Sequence, residues 1–343
     1  MIDTFGASAL EQAARTLRGR SAWGELSTLL DGHPDDVRTH PELATLRGEA
    51  YLRTGAPREG RTWFTEAIPV IERRGDRSAL RRAINMLGVA EFQLGLVELA
   101  EPEFERAVQL GQEDGDDLLV ARATNNLGMI ANMRGERERA LGLYAISVTA
   151  YQRLGDASGL AAAHHNMAIS FRDAGDLERA EEHELRAIEF ARQAENPILI
   201  AQARLGRAEI RHRSGDAPFA EVGARRAAAD FASLGERIQQ ADALRLQGVA
   251  ALAQGKADIA ETAIERALLL TRERGSALTE AEVLEARAAL WLHLGNYQRM
   301  RDDAGEAIRI FERLQAHHSA ELVRGWLTRA EHRPTLPRGA VRD

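Results

Sequence analysis

Small and apolar residues recur along this chain on a fixed period, and glycines divide that period like the marks of a ruler. Glycine stands at Gly55, Gly75, Gly95, Gly115, Gly135, Gly155 and Gly175, each 20 residues after the last. The series skips Glu195 and resumes at Gly215, Gly235, Gly255, Gly275 and Gly295. Glycine enters the left-handed conformation beyond a helix end without a Cβ clash, so the spacing predicts a helix end every 20 residues. Asp76, Asp116, Asp156, Asp176 and Asp216 each follow a ruler glycine directly, and aspartate is a favoured N-cap for the next helix. At the skipped mark Asn196-Pro197 supplies a cap and a proline at the first helical position, which keeps the boundary by other means.

Alternate segments differ. Those ending at Gly55, Gly95, Gly135 and onward carry a small residue seven places earlier: Gly48, Gly88, Gly128, Ala168, Ala208, Gly248 and Ala288. The others carry alanines five and twelve places after the glycine, as at Ala100 and Ala107, Ala180 and Ala187, Ala220 and Ala227, Ala260 and Ala267. The repeat is therefore 40 residues long and holds two helices, with small residues where the paired helices cross closely. The unit 195–235 departs most from the others, with Gly206 and Gly223 inside helices and an alanine-rich run. Tight packing around small side chains is the preferred explanation, and a joint between two halves the alternative.

Composition fits this reading. The chain has 343 residues, 44% hydrophobic but only 5% aromatic, so its core is built from aliphatic residues that suit close-packed helices better than sheets. A net charge of −7 gives no general basic footprint for nucleic acid, and Lys256 is the only lysine among 45 basic residues. No cysteine is present, which excludes disulfides and thiolate chemistry. With no signal-like N-terminus and no apolar run of membrane-spanning length, a cytoplasmic protein free of the membrane is expected.

Segment 125–147, NNLGMIANMRGERERALGLYAIS, resembles the tetratricopeptide repeat (TPR), with Gly128, Gly135, Ala140, Tyr144 and Ser147 in register. The longer period and the joint RLGD at 153–156 resemble the extended repeats of Pins-type adaptors and kinesin light chain. They are similar also to bacterial regulators such as the maltose-regulon activator and the Rap-type peptide receptors. The resemblance implies an all-α fold, a right-handed superhelical solenoid of antiparallel helix pairs, with about seven repeats over residues 41–315. Residues 1–40 are expected to form an irregular helical cap, its hairpin over 7–31 turning at Gly19. A capping helix over 316–332 is expected to start at a Ser319 cap, with an apolar stripe of Leu322, Val323, Trp326, Leu327 and Ala330. Residues 333–343 read as a disordered tail.

In such a superhelix the first helix of each pair lines the concave face. By analogy with the family, the inward positions are Arg82, Asn85, Met86, Val89 and Phe92 in one unit and Arg122, Asn125, Asn126, Met129 and Asn132 in the next. The third unit of the series offers Ala162, His165, Asn166, Ile169 and Arg172. An asparagine amide both donates and accepts, so a ladder of them matches the backbone of an extended peptide whatever its sequence. Arg82, Arg122 and Arg172 would meet carboxylates, while Met86, Met129 and Phe92 would give adaptable apolar contact. Asn126 and Asn166 have an equally good structural reading, as bonds between neighbouring repeats.

Catalytic signatures are missing from the sequence. No phosphate loop, dinucleotide fingerprint, nucleophile elbow or zincin motif occurs. His164 and His165 are adjacent, point about 100° apart on a helix and cannot chelate one metal together, so one is expected in the packing and one in the groove. His317 and His318 read as solvated loop residues, and the acidic run 113–117 as a joint that lacks calcium-loop spacing. The expectation is a non-enzymatic scaffold or adaptor, without metal or cofactor, binding a protein or peptide partner. The alternative is a peptide-sensing regulator that acts through a separate effector. A homodimer through Trp63 or Trp326 is open, though both suit a local core.

Overall fold

The structure, a computed structural model, describes residues 4–20, 22–274, 276–314 and 316–331. These hold eighteen α-helices and no strand. Three precede the repeats: α1 (Thr4–Gly19), α2 (Trp23–Asp31) and α3 (Pro34–Thr39). The hairpin expected over 7–31 is present as α1 and α2, and α3 is an addition. Its signal is legible in hindsight, with Pro34 at the first helical position and Asp35 and Asp36 in the first turn.

Seven helix pairs come next. First members are α4 (Pro41–Arg53), α6 (Arg77–Gln93), α8 (Asp117–Met133), α10 (Ala157–Asp173), α12 (Pro197–Arg213), α14 (Arg237–Ala253) and α16 (Ala277–His293). Second members are α5 (Pro57–Arg74), α7 (Val97–Asp114), α9 (Arg137–Leu154), α11 (Leu177–Gln193), α13 (Ala217–Leu234), α15 (Ala257–Arg274) and α17 (Tyr297–Arg313). The final helix, α18, spans His317–Glu331. It starts two residues before Ser319, so Ser319 is not its cap, and His317 and His318 open the helix instead of lying in a loop. Val323 is buried on it while Leu322 is exposed, so the expected stripe is narrower than its sequence. Gly275, the side chain of Ala330 and the tail from residue 333 lie outside the described residues.

Every described ruler glycine has positive φ, from 64° at Gly155 to 90° at Gly215. At the skipped mark Glu195 itself takes the left-handed conformation, with φ 50°. The boundary is thus kept by a strained glutamate, and Asn196 caps the next helix by accepting the N–H groups of Ile198 and Leu199 at 3.1 and 3.2 Å. Asp76, Asp116, Asp156, Asp176 and Asp216 each accept the N–H three residues on. A left-handed L-residue costs roughly 1–2 kcal/mol, of which glycine's greater unfolded freedom returns roughly 0.5–1. Glu195→Gly is therefore expected to raise stability by about 1 kcal/mol in urea unfolding. A loss instead would show that the exposed Glu195 side chain holds something in place.

The small residues sit where the two helices of a pair meet. A Cβ built on Gly48 would stand 2.3 Å from the Phe64 ring, on Gly88 2.8 Å from Phe104, on Gly128 2.4 Å from Tyr144 and on Gly248 2.5 Å from Ile264. Each large side chain lies sixteen residues after its glycine. Where the first position is Ala208 or Ala288, the second is Ala224 or Ala304, all fully buried. Large against none and small against small give equivalent filling of the gap.

By contacts the chain falls into two compact units, residues up to 170 with 189–195, and residues 171–188 with those from 196 on. In the first, α4 packs on α6 and α6 on α8 in addition to their own partners. Its core runs through Phe64, Ile71, Ile84, Leu87 and Leu119. In the second, α12 packs on α14 and α14 on α16, around Leu205, Ala224, Phe231 and Leu246. First helices thus form a continuous layer within each unit, and that layer positions the site.

Candidate functional site

A pocket of about 210 Å³ opens on the first-helix layer of the first unit. Six of the predicted inward residues line it: Asn85, Met86 and Val89 on α6, and Arg122, Asn125 and Asn126 on α8. Arg18 from α1, Glu49 and Arg53 from α4, and Tyr151 from α9 join them.

Charge in the pocket is uneven. Arg18 is spent on Glu49, donating Nε to Oε2 at 2.8 Å and Nη2 to Oε1 at 3.3 Å, and this bonding raises the guanidinium pKa further. Arg53 stands over the Trp23 ring, 5.5 Å from its centre. Neither Arg53 nor Arg122 makes an ion pair among the described residues. Burial pushes the Tyr151 phenol up to about 12 against the opposing charge of Arg122, which keeps it a protonated donor. Two uncompensated cations beside a neutral donor make this wall receptive to a carboxylate.

Asn85 is the other singular group. Its side chain is 3% exposed, and its Oδ1 is buried with no hydrogen-bond partner. An orphaned buried acceptor costs roughly 1–3 kcal/mol, which a bound N–H would recover.

The remaining predicted residues have other partners. Arg82 is paired with Glu42 on the preceding first helix. Asn166 donates Nδ2 to Asn125 Oδ1 at 3.1 Å, and Ser170 donates to Asn132 Oδ1 at 2.7 Å, so amides also serve as rungs between α8 and α10. Phe92 packs with Val97, Phe104 and Leu127, and Met129 with Ala131, Ala140 and Tyr144. His164 is buried and stacked on Phe190 with ring centres 5.6 Å apart, while His165 is half-buried.

Arg172 belongs to the second unit. It bonds Asp173 and Glu209, and Glu209 in turn takes Arg245, which also meets Asp242 at 2.7 Å. Farther along this layer the half-buried Glu282 carboxyl is pushed up to about 7 by burial, with Asp242 and Glu285 adding to the rise and Arg245 opposing it. Burial likewise raises Glu285. Cations and acids here largely answer one another.

Arg18, Glu49, Arg53 and Tyr151 were missed from sequence. Glu49 had a signal, because the inward register carried back to the Gly48 unit puts Glu42 and Glu49 on the same face. Arg18 had none, since α1 lies outside the repeat. Among the described residues no group of three or more His, Asp or Glu is placed to hold a metal ion.

The sequence pattern of the tetratricopeptide repeat matches residues 80–153 and again 119–193. No curated protein matches the sequence. Among solved structures, a Rap protein complexed with competence and sporulation factor is similar with a TM-score of 0.66 and 16% identity, over 95% of this chain and 97% of that one. The Rap conjugation gene regulator of the plasmid pLS20, in complex with the Phr* peptide, also gives 0.66, at 12% identity over 87% of this chain and 78% of that one. Aspartyl phosphate phosphatase F from Bacillus subtilis gives 0.54, at 12% identity over 99% of both chains. Such low identities speak to the fold alone.

Proposed function

We propose, from the premise that this chain is a tetratricopeptide-repeat protein, that its first unit captures an extended peptide segment of a partner. The segment's backbone is read by Asn85, Asn125 and Asn126, and a carboxylate on it by Arg53 and Arg122. One observation carries this reading: Asn85, whose buried amide oxygen has no partner, lines a pocket beside two arginines without ion pairs. One protein of similar fold was solved with the Phr* peptide bound and another with competence and sporulation factor, which makes a peptide a natural ligand to test here. The role is that of a binding protein, with affinity summed from many backbone contacts and selectivity supplied by the arginines and Met86. A regulator that senses a peptide would use the same pocket and differ only in the consequence of binding.

The test is selection of random dodecapeptides by display on the full chain, then affinity measurement on the double variant Asn85→Ala, Arg122→Glu. Selected peptides should lose at least about tenfold in affinity, or roughly 1.4 kcal/mol. Helicity should be unchanged, because Asn85 Oδ1 has no partner to lose and Arg122 is exposed. Undiminished binding to the variant would remove the site from this pocket.

A further inference from the structure

The α12–α13 pair breaks the repeat at three register positions, and the breaks converge on one cavity. Position 204 is occupied elsewhere by Ala44, Ile84, Thr124, His164, Leu244 and Leu284, side chains of the core or its margin; here it is Arg204. Position 230 is occupied elsewhere by Val70, Leu110, Ala150, Phe190, Leu270 and Ile310; here it is Asp230. Position 223 carries Trp63, Glu103, Leu143, His183, Ala263 or Asp303 in the other pairs, and here a glycine. Trp63 and Asp303 show what that place does when filled. The Trp63 indole donates to Ala44 O at 2.7 Å and Asp303 takes Arg287 in two bonds of 2.7 Å.

With Gly223 the place is open. A pocket of about 280 Å³ remains, floored by Gly223 and Ala227 and rimmed by Phe219, Val222, Arg204, Arg207, Arg226 and Asp230. Arg207 is bonded to Glu181 at 2.7 and 2.9 Å, and Arg204 reaches Asp230 only at 3.8 Å. Arg226 is exposed and has no acidic partner among the described residues. The rim is apolar as well as cationic, with Phe219 44% and Val222 54% exposed and the Arg211 guanidinium 5.6 Å from the Phe219 ring centre. Exposed apolar surface rimmed by charge beside a cavity marks an interaction site.

We infer that this notch is a second docking site, separate from the asparagine pocket, for an acidic partner segment that inserts one bulky apolar side chain over Gly223 and sets flanking carboxylates against Arg226 and Arg204. The pocket has room for a large side chain, and its lining, with Arg226 unpaired among the described residues and Arg204 only loosely held by Asp230, complements an acidic sequence. The chain's own last residues, EHRPTLPRGAVRD, are rich in arginine and do not answer that charge.

The experiment is display selection of random dodecapeptides on the full chain carrying Asn85→Ala and Arg122→Glu, so that the outcome is independent of the first pocket. Enriched peptides should place Phe, Trp, Leu or Met beside Asp or Glu. Their affinity should fall at least about tenfold on adding Gly223→Leu, which fills the notch. Since a Cβ at Gly223 would stand 3.0 Å from Ala208 Cβ, Arg226→Glu and Val222→Asp on the exposed rim give the same test without crowding the helix pair. Failure to enrich any peptide, enrichment of peptides lacking acids, or affinities unmoved by Arg226→Glu and Val222→Asp would each overturn the inference. So would a dimer of the free chain that Arg226→Glu dissolves, since a second copy would then occupy the notch.

Discussion

Replacing Gly128 by alanine is expected to cost about 3 kcal/mol, although the same substitution in an open helix normally stabilises by roughly 1 kcal/mol. The added methyl would lie 2.4, 2.7 and 2.9 Å from three atoms of the Tyr144 ring. That ring is 1% exposed and packed among Ala131, Ala140, Met129 and Leu143, so it has nowhere to swing. Either α8 and α9 separate or the ring leaves its rotamer. Gly142 supplies the control, being in the middle of α9 with nothing within 4 Å of a built Cβ. Gly142→Ala should gain about 0.5–1 kcal/mol from helix propensity alone. Urea unfolding of the two variants should thus move the midpoint in opposite directions. A neutral Gly128→Ala would mean that the α8–α9 crossing is looser than these distances imply.

A comparable loss, about 3 kcal/mol or more, is expected for Asp303→Ala at the other end of the chain. Asp303 is 6% exposed and accepts three bonds: Arg287 Nη2 and Nε at 2.7 Å each, and Trp291 Nε1 at 2.9 Å. Removing one member of a buried ion pair typically costs about 3–5 kcal/mol, because the other charge stays behind without its solvent. Here Glu265 holds Arg287 at 3.1 Å from a more exposed position, which puts the loss toward the lower figure. The buried indole N–H of Trp291 is stranded as well. Thermal unfolding and the fluorescence of Trp291 should report the change together. Asp303→Asn should recover part of it, since its Oδ1 still accepts while the charge is lost. Equal loss in both variants would place the effect in charge alone.

Legibility from sequence tracks the range of the interactions involved. The helix ends were readable because each depends on a few adjacent residues, a glycine that turns left-handed and an aspartate that caps. The break at Glu195 was visible, but the glutamate's own left-handed turn was not, since nothing local marks a strained residue except the expectation that glycine should be there. Ser319 was misplaced for the converse reason: it is an acceptable cap by type, yet α18 starts two residues earlier. In the candidate site, the repeat register put Asn85, Met86, Arg122, Asn125 and Asn126 on one face because identical spacing puts identical positions in identical surroundings. Arg18 is outside the register and could be placed only by the packing of α1 on α4.

By itself, then, the sequence determined the rhythm of helices, their termini, and which crossings demand a residue without a side chain, all of which act within one helix or between neighbours in the chain. Tertiary structure alone decided which polar groups keep an unmet bond. Arg82 and Arg172 look as available as Arg122 on paper, yet Glu42 and Glu209 claim them from helices 40 and 37 residues away, while Arg122 and the oxygen of Asn85 are left unclaimed. Hydrogen bonding and charge pairing are settled at distances of a few ångströms in space, and separation along the chain does not report them.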